Sequence, residues 1–561
     1  MPESAIDQRS ESPKLSERAP TKSDGTVSTM DTVSLEPEEV EGSKEREPPA
    51  EKAPRRWCLL HWLRELYASF GNFVPFAILT YGVNQSIAWA IGGFALRFYM
   101  KDVLGLDGAT MGRLTTAAGL PWNMKPFMGM LSDGVALCGY HRRSYIVVAA
   151  AGGFGSYVLL GTLALPAAAL VVVMIAMNLS VSTTDVIVDG KGAELSRQVP
   201  HHASDLQSLF WGVGALFSLV SSSLKGSLIE WFSPQTVLLS LTACSVSLLL
   251  PALWGWLPEE RIPHARCLVK LDQFRKHPSV SMVAVLLTLV STCLSSVQVL
   301  VPNKQARAAV TVLCAAAVAT QSYRALKQIT PYLGRTALFI FLRQSLQVGL
   351  GETMFVWLTK YPEGPQLSPS KLGFVDCFGS LGLLIGVCIY NKYMTNWSFR
   401  RIFLTAQISV FFAQLLEIVL VMRWNLFIGI PDFLFLVGDD TFGLLVSRFF
   451  FIPMCVLAAK VCPPNLEATL FATLLSLSNF GGAVSGFMGV TMCEVWGLEG
   501  DNFENLPYAS LAKACFALLP VPLIFALTPT FTPNDPVPEN EVQNGESQEP
   551  ASERSETSQA A

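Results

Sequence analysis

AALVVVMIAMNLSVSTTDVIVDG, residues 168–190, holds no charge before Asp185 and is built mainly from Ala, Val, Leu, Ile and Met. Wound as an α-helix it rises about 34 Å, enough to cross a hydrocarbon core of about 30 Å. The same signal recurs on both sides. Apolar stretches of about 20 residues lie at 72–97, 109–132, 144–165, 168–190, 204–229, 235–257, 279–300, 306–324, 337–358, 372–391, 401–422, 434–459, 466–492 and 507–528. They predict an all-α, polytopic membrane protein of fourteen transmembrane helices. The weakest stretch, 306–324, is Ala-rich and ends in Gln321-Ser322-Tyr323-Arg324. Asp439 and Asp440 interrupt 434–459, so that helix is expected to begin near Leu444.

Composition points the same way. Hydrophobic residues make up 51% of the 561, charged residues 15%, and mean hydropathy is +0.40. Soluble domains carry about 25% charged residues. Residues 57–529 hold 54 of the 84 charges, or 11% of that segment. A body so poor in charge is built to face the lipid bilayer. It offers no basic domain for nucleic acid. The 12 cysteines stand singly, with no spacing that suggests a metal site or a disulfide framework. No Walker loop, Ser-His-Asp set or cofactor motif is present, which argues against an ATP-driven pump and an enzyme. No cofactor is expected.

Residues 1–56 and 530–561 are rich in Ser, Glu, Pro and Thr and lack periodicity, so both are expected to be disordered, solvated tails. An even helix count places them on one side. Loops on that side hold Arg142, Arg143, Lys191, Arg197, Arg261, Arg266, Lys270, Arg275, Lys276, Arg324, Lys327, Arg335, Lys392, Arg400, Arg401 and Lys460. The opposite loops hold about half as many, so both termini are expected to be cytosolic. All six histidines fall on that side, which leaves none at bilayer depth for a proton relay.

The helices group as six, two and six. This predicts an N-terminal six-helix bundle over 57–257, a charged cytosolic loop and two extra helices over 258–336, and a C-terminal six-helix bundle over 337–529. A weak repeat supports two related halves. Gly129 leads to Arg142-Arg143, and Gly386 leads to Arg400-Arg401, at spacings of 13 and 14 residues. Internal repeats of this kind mark secondary transporters.

Three constellations carry chemistry. Gly129-Met-Leu-Ser-Asp133 followed by Arg142-Arg143 reads as a cytosolic gate: the glycine permits close helix packing, and the aspartate can latch onto an arginine. The bland reading is a positive-inside anchor. Asp185 and Asp189 are one turn apart on one face, with Lys125 of the second helix a possible partner. An isolated aspartate in hydrocarbon costs several kcal/mol, so this face should meet a cavity or a cation. Two like charges one turn apart repel, and proton uptake by one relieves them. The alternative is that Asp189 sits at headgroup level beside Arg143 or Arg197. The third set lies in the second bundle: Arg343, Gln344, Gln347, Glu352, Asp376, Gln414, Glu417, Arg448 and Asn479. Arg343 and Gln347 are spaced to share a helical face, and a buried arginine suits a substrate carboxylate. An internal Arg–Glu pair is the structural alternative. The glycines at 152, 153 and 155, and at 481 and 482, fit close packing, and Asn396-Trp-Ser is a sequon on the cytosolic side.

Several strings together resemble the folate–biopterin transporter family of the major facilitator superfamily. They are Phe98-Tyr-Met-Lys-Asp-Val-Leu-Gly-Leu, Leu120-Pro-Trp-Asn-Met-Lys125-Pro126, Leu131-Ser-Asp133, Gly139-Tyr-His-Arg-Arg-Ser-Tyr145, Asp185-Val-Ile-Val-Asp189 with Glu194, Asp205-Leu-Gln-Ser208, the run from Ala459 through Glu467 to Phe471, and Asn502-Phe-Glu-Asn-Leu506. The likeness spans most of 70–530. Two features depart from it: His141 interrupts a usually all-Arg cluster, and Gly190-Lys191-Gly192 replaces small apolar residues. The resemblance implies transport of folates, pterins or related small metabolites, coupled to protons as symport, on twelve core helices with extra ones. Two alternatives stay open. A carrier of another metabolite, such as S-adenosylmethionine, would anchor that cation on the carboxylates. A non-transporting receptor or scaffold would be expected to lose its polar residues at depth.

Overall fold

The computed structural model describes residues 59–262, 267–269, 278–462 and 467–535, all in one unit that begins at Leu59. The tails expected at 1–56 and 530–561, apart from 530–535, lie outside these residues. So do His264, His277 and the basic residues Arg266, Lys270, Arg275 and Lys276 of the central loop.

Helix α1, Leu59–Phe70, was not legible as a separate element. It buries Leu66 and Phe70, leaves Leu59, Leu60 and Tyr67 exposed, and meets the next helix at 114°. An amphipathic helix so bent suits the plane of a membrane interface. The first bundle follows as α2 (Phe73–Val103), α3 (Gly108–Ala118, Leu120–Asn123 and Lys125–Gly134), α4 (Arg143–Thr162), α5 (Ala167–Gln198), α6 (Ala203–Trp231) and α7 (Pro234–Trp254). The inserted pair is α8 (Pro278–Leu300) and α9 (Lys304–Lys327). The second bundle is α10 (Pro331–Ser345 and Gly351–Thr359), α11 (Pro369–Met394), α12 (Phe399–Val421), α13 (Asp432–Val461), α14 (Glu467–Val495) and α15 (Leu506–Leu527).

Among the described residues eleven helices are long and apolar enough to span a bilayer, or twelve with the bent pair α1–α2. The expected fourteen is not confirmed by that measure. At the expected 109–132 and 337–358 the chain is helical in pieces. Residue 119 and residue 124 break α3, which carries Arg113, Lys125 and Asp133; residues 346–350 break α10. Two further expectations need correction. Helix α13 runs unbroken through Asp439 and Asp440 and does not start near Leu444; it starts at Asp432, whose negative charge suits the first turn of a helix. Helix α5 continues past 190 to Gln198, so Lys191, Glu194 and Arg197 are helical and not loop residues. Lys191 and Glu194 pair there at 2.6 Å, one turn apart.

The helix ends define two faces. The near face is where α2 begins and α15 ends; the far face is opposite. On the near face a two-stranded antiparallel ladder forms between β1 (Val135–Leu137) and β2 (Cys267–Val269), tying the α3–α4 loop to the central loop. The far face holds the turns after α2, α4, α6, α8, α10, α12 and α14. Helix α8 packs on both α3 and α14, one from each bundle, while α9 packs on α10 and α14.

The bundles meet along two seams, α6 with α11 and α3 with α14 and α10. Close approach at these seams needs missing side chains. A methyl group at Gly226 of α6 would collide with the backbone of Pro369 and Ser370, and one at Gly108 would sit 2.5 Å from the Thr353 Cα. Gly212, in the same helix as Gly226, faces open space. Gly212→Ala should therefore hold or raise the thermal midpoint, since Ala is a better helix former by about 1 kcal/mol. Gly226→Ala should lower it, by an overpacking cost of about 1–3 kcal/mol. Thermal unfolding of the purified variants in detergent reads both; equal midpoints would contradict this seam geometry.

Candidate functional site

The first cluster grows from α2, α3 and α5. From Leu79 to Ala88 the backbone of α2 widens to π-helical winding, a distortion often found at functional sites. This stretch carries Tyr81 and Gln85. Asp185 is buried; Lys125 forms an ion pair with its Oδ2, and Gln85 Nε2 donates to its Oδ1. The Tyr81 hydroxyl donates to Asp189, which is exposed one turn nearer the near face. Lys125 Nζ also lies 5.0 Å from the Trp122 ring centroid, and Trp122 Nε1 donates to Asn178 at 3.1 Å. The expected Lys125–Asp185 pair is present. Asp189 pairs with Tyr81, not with Arg143 or Arg197. Tyr81 and Gln85 were missed; the one signal was the polar Asn84-Gln85 inside the first apolar stretch.

The second feature is a cavity of about 860 Å³ between the bundles. Its lining includes Trp122 and Trp211 from the first bundle and Arg343, Gln344, Gln347, Gln414, Arg448, Phe450, Phe451 and Asn479 from the second. Two arginines line it, and no Asp or Glu does so among the described residues. Arg343 is buried; its Nε donates to Gln407 at 3.2 Å, and its guanidinium lies 3.6 Å from the Phe450 ring centroid. Gln407, also missed, donates in turn to Gln347 at 3.3 Å. The expected helical face shared by Arg343 and Gln347 needs correction, because the helix ends at Ser345, yet both side chains still line the cavity. Among the described residues Arg343 has no carboxylate partner, so the Arg–Glu alternative is not what forms there. Glu352, Asp376 and Glu417 lie elsewhere, paired with Arg97, Lys225 and Lys513.

On the near face, Arg142 binds Asp133 at 3.0 Å and Glu194 at 2.7 Å, joining α3, α4 and α5. A methyl group at Gly129 would meet Val186 of α5 at 3.3 Å, which fits its packing role. Arg143 does not join this group. Its Nε donates to the Ala252 carbonyl at 2.6 Å, at the end of α7, where unpaired carbonyls attract a cation. Glu259, not foreseen, accepts from the backbone N–H of His141 at 2.6 Å, Arg142 at 2.9 Å and Arg143 at 2.8 Å, capping the start of α4. On the far face three ion pairs join the bundles: Arg97–Glu352 at 3.0 Å, Arg113–Glu494 at 3.3 Å and Lys225–Asp376. Every ion pair between bundles among the described residues lies there.

Two six-helix bundles that enclose a polar cavity and are bolted at one face only form a transporter fold of the major facilitator type. Solved structures agree on the fold. A POT family transporter in complex with 5-aminolevulinic acid superposes with a TM-score of 0.60 at 12% identity, covering 82% of this chain and 96% of that one. The nucleoside transporter NupG gives 0.56 at 13%, covering 81% and 98%. The family is narrower. Residues 83–546 match the BT1 family, and the chain belongs to it. Similar proteins include the folate-biopterin transporter of Synechocystis sp., 29% identical over 83% of this chain and 84% of its own. The probable folate-biopterin transporter 6 of Arabidopsis thaliana is 27% identical over 85% and 87%, and the folate transporter 1 of Plasmodium falciparum 22% over 77% and 75%.

Lys125→Met would leave Asp185 buried with Gln85 alone. Breaking a buried pair in this way costs about 3–5 kcal/mol. The single variant should lose monodisperse protein on size exclusion, and Lys125→Met/Asp185→Asn should regain it. A single variant as well behaved as the double would contradict the pairing.

Proposed function

We propose that this transporter carries folates or pterins and draws on a proton gradient. The cavity lining carries the reading: two arginines, four aromatic rings and several amides, with no acid among its described residues. Such a lining favours an anion with a flat ring system. Guanidinium groups bind carboxylates, and Trp122, Trp211, Phe450 and Phe451 offer faces for stacking. The volume of about 860 Å³ suits a drug-sized solute. A cation such as S-adenosylmethionine would meet like charge. Arg343 and Arg448 serve as anion anchors, with Gln347 orienting through Gln407. Asp133 and Arg142 form the near-face gate over Gly129, with Arg143 fastening the same loop to α7.

Coupling rests on Asp185 and Asp189. Asp185 is held by Lys125 and Gln85, and any loss of Lys125 to a substrate carboxylate leaves it a charge without a cation. Taking up a proton removes that cost, so anion binding and proton uptake favour each other. The two broken helices, α3 and α10, complete the bundles as spans. Both termini lie in the cytosol.

Uptake by proteoliposomes tests this. Labelled folate and biopterin should accumulate with an inward proton gradient, and S-adenosylmethionine should not. Arg448→Gln should weaken folate uptake by about tenfold or more, as loss of a charge-assisted pair implies. Asp185→Asn should abolish gradient-driven accumulation while leaving exchange measurable. Uptake of S-adenosylmethionine without folate would replace the substrate, and uptake of none would favour a receptor.

A further inference from the structure

Glu494 near the end of α14 is the most heavily committed acid of the far face. Its Oε1 takes Arg113 of α3 at 3.3 Å and Arg307 of α9. The site is deep. Arg307 is 3% exposed and Glu494 4%. Three parts of the molecule meet at one oxygen: the first bundle through Arg113, the second through Glu494, and the inserted pair through Arg307. Arg307 is itself fixed in place. Its Nη1 donates to the carbonyls of Val301 and Pro302 at 2.9 Å each, at the turn between α8 and α9. Lys304 of the same helix pairs with Glu499, just beyond α14.

Alternating access requires the far face to open. Opening parts α3 from α14, so Arg113 leaves Glu494. Glu494 would then be a buried carboxylate without a cation, and that cost would oppose opening. Arg307 removes the difficulty. Helix α9 packs on α10 and α14, both of the second bundle, and moves with them. We infer that Arg307 is a gate residue of the transport cycle: it keeps Glu494 compensated when Arg113 withdraws, and so lowers the cost of opening the far face. The inserted helix pair thereby acts in gating and does more than decorate the bundles. The inference rests on the transporter fold and not on which solute is carried.

Cys493 reports the opening. It is 1% exposed and lies within interaction range of Thr353 of α10 and Asp107, the residue that caps α3. Parting α3 from α14 uncovers it. The experiment follows alkylation of native Cys493 in the purified full-length protein by a polar maleimide, read by peptide mass spectrometry. Glu494→Gln removes the ion pair across the seam and should speed alkylation. Arg307→Met leaves Glu494 dependent on Arg113 and should slow alkylation by about a hundredfold or more, the scale of a lost buried-charge partner. Arg307→Lys keeps a cation and should stay close to wild type. The opposite signs are the signature, because a merely structural role would move both variants the same way. Alkylation of Arg307→Met as fast as wild type, or faster, overturns the inference. Should that variant fail to fold, Arg307→Met/Glu494→Gln decides: a rate at or above wild type supports the inference, and a slower rate overturns it.

Discussion

A charge inside a bilayer must have a partner, and much of this structure follows from that demand. Water is absent at depth, and an unpaired buried ion costs several kcal/mol. The chain answers in two ways. Within a bundle, ion pairs join helices of the same half: Lys125 with Asp185, Lys513 with Glu417. Between bundles they cross the seam: Arg97 with Glu352, Arg113 with Glu494, Lys225 with Asp376. The first kind holds the scaffold. The second kind lies where the scaffold must come apart.

That division explains where the cavity sits. Ion pairs between bundles gather on the far face among the described residues, so the cavity beneath them is capped on that side. The near face is organised differently. Arg142, Asp133 and Glu194 tie the first bundle to itself, and Glu259 with the small β-ladder ties the α3–α4 loop to the central loop. Among the described residues the near-face group makes no ion pair across the seam. The bare arginines of the cavity fit the same scheme, since a carboxylate brought by a solute supplies the partner that the protein withholds.

The fold was largely legible in the sequence because lipid imposes a pattern on nearly every residue of a span. Apolar runs gave the helices, and the charged loop near 258–277 gave the grouping of the bundles. Interrupted helices were read less well. Pieces of α3 and α10 looked continuous, since a break at Gly119 or near Gln347 changes neither composition nor length. The amphipathic α1 was missed because only half its surface is apolar. At the site, acids and bases at depth were conspicuous, and cost demanded a cavity or a cation for Asp185, with Lys125 a possible partner. Neutral partners were not. Tyr81, Gln85 and Gln407 carry no charge penalty, so the sequence marked them faintly, through the polar Asn84-Gln85 alone. Pairs across long separations, such as Arg307 with Glu494, depend on topology that one sequence does not display.

The central claim is that the far-face ion pairs form the moving seam. Double electron–electron resonance between spin labels tests it directly. One label pair spans the far face at residues 232 and 363, and the other spans the near face at residues 201 and 391. Neutralising Lys225–Asp376 with Asp376→Asn should add a longer distance at 232/363 and a shorter one at 201/391, in matching proportions. Distances that stay unchanged on both faces, or lengthen on both, would contradict the account.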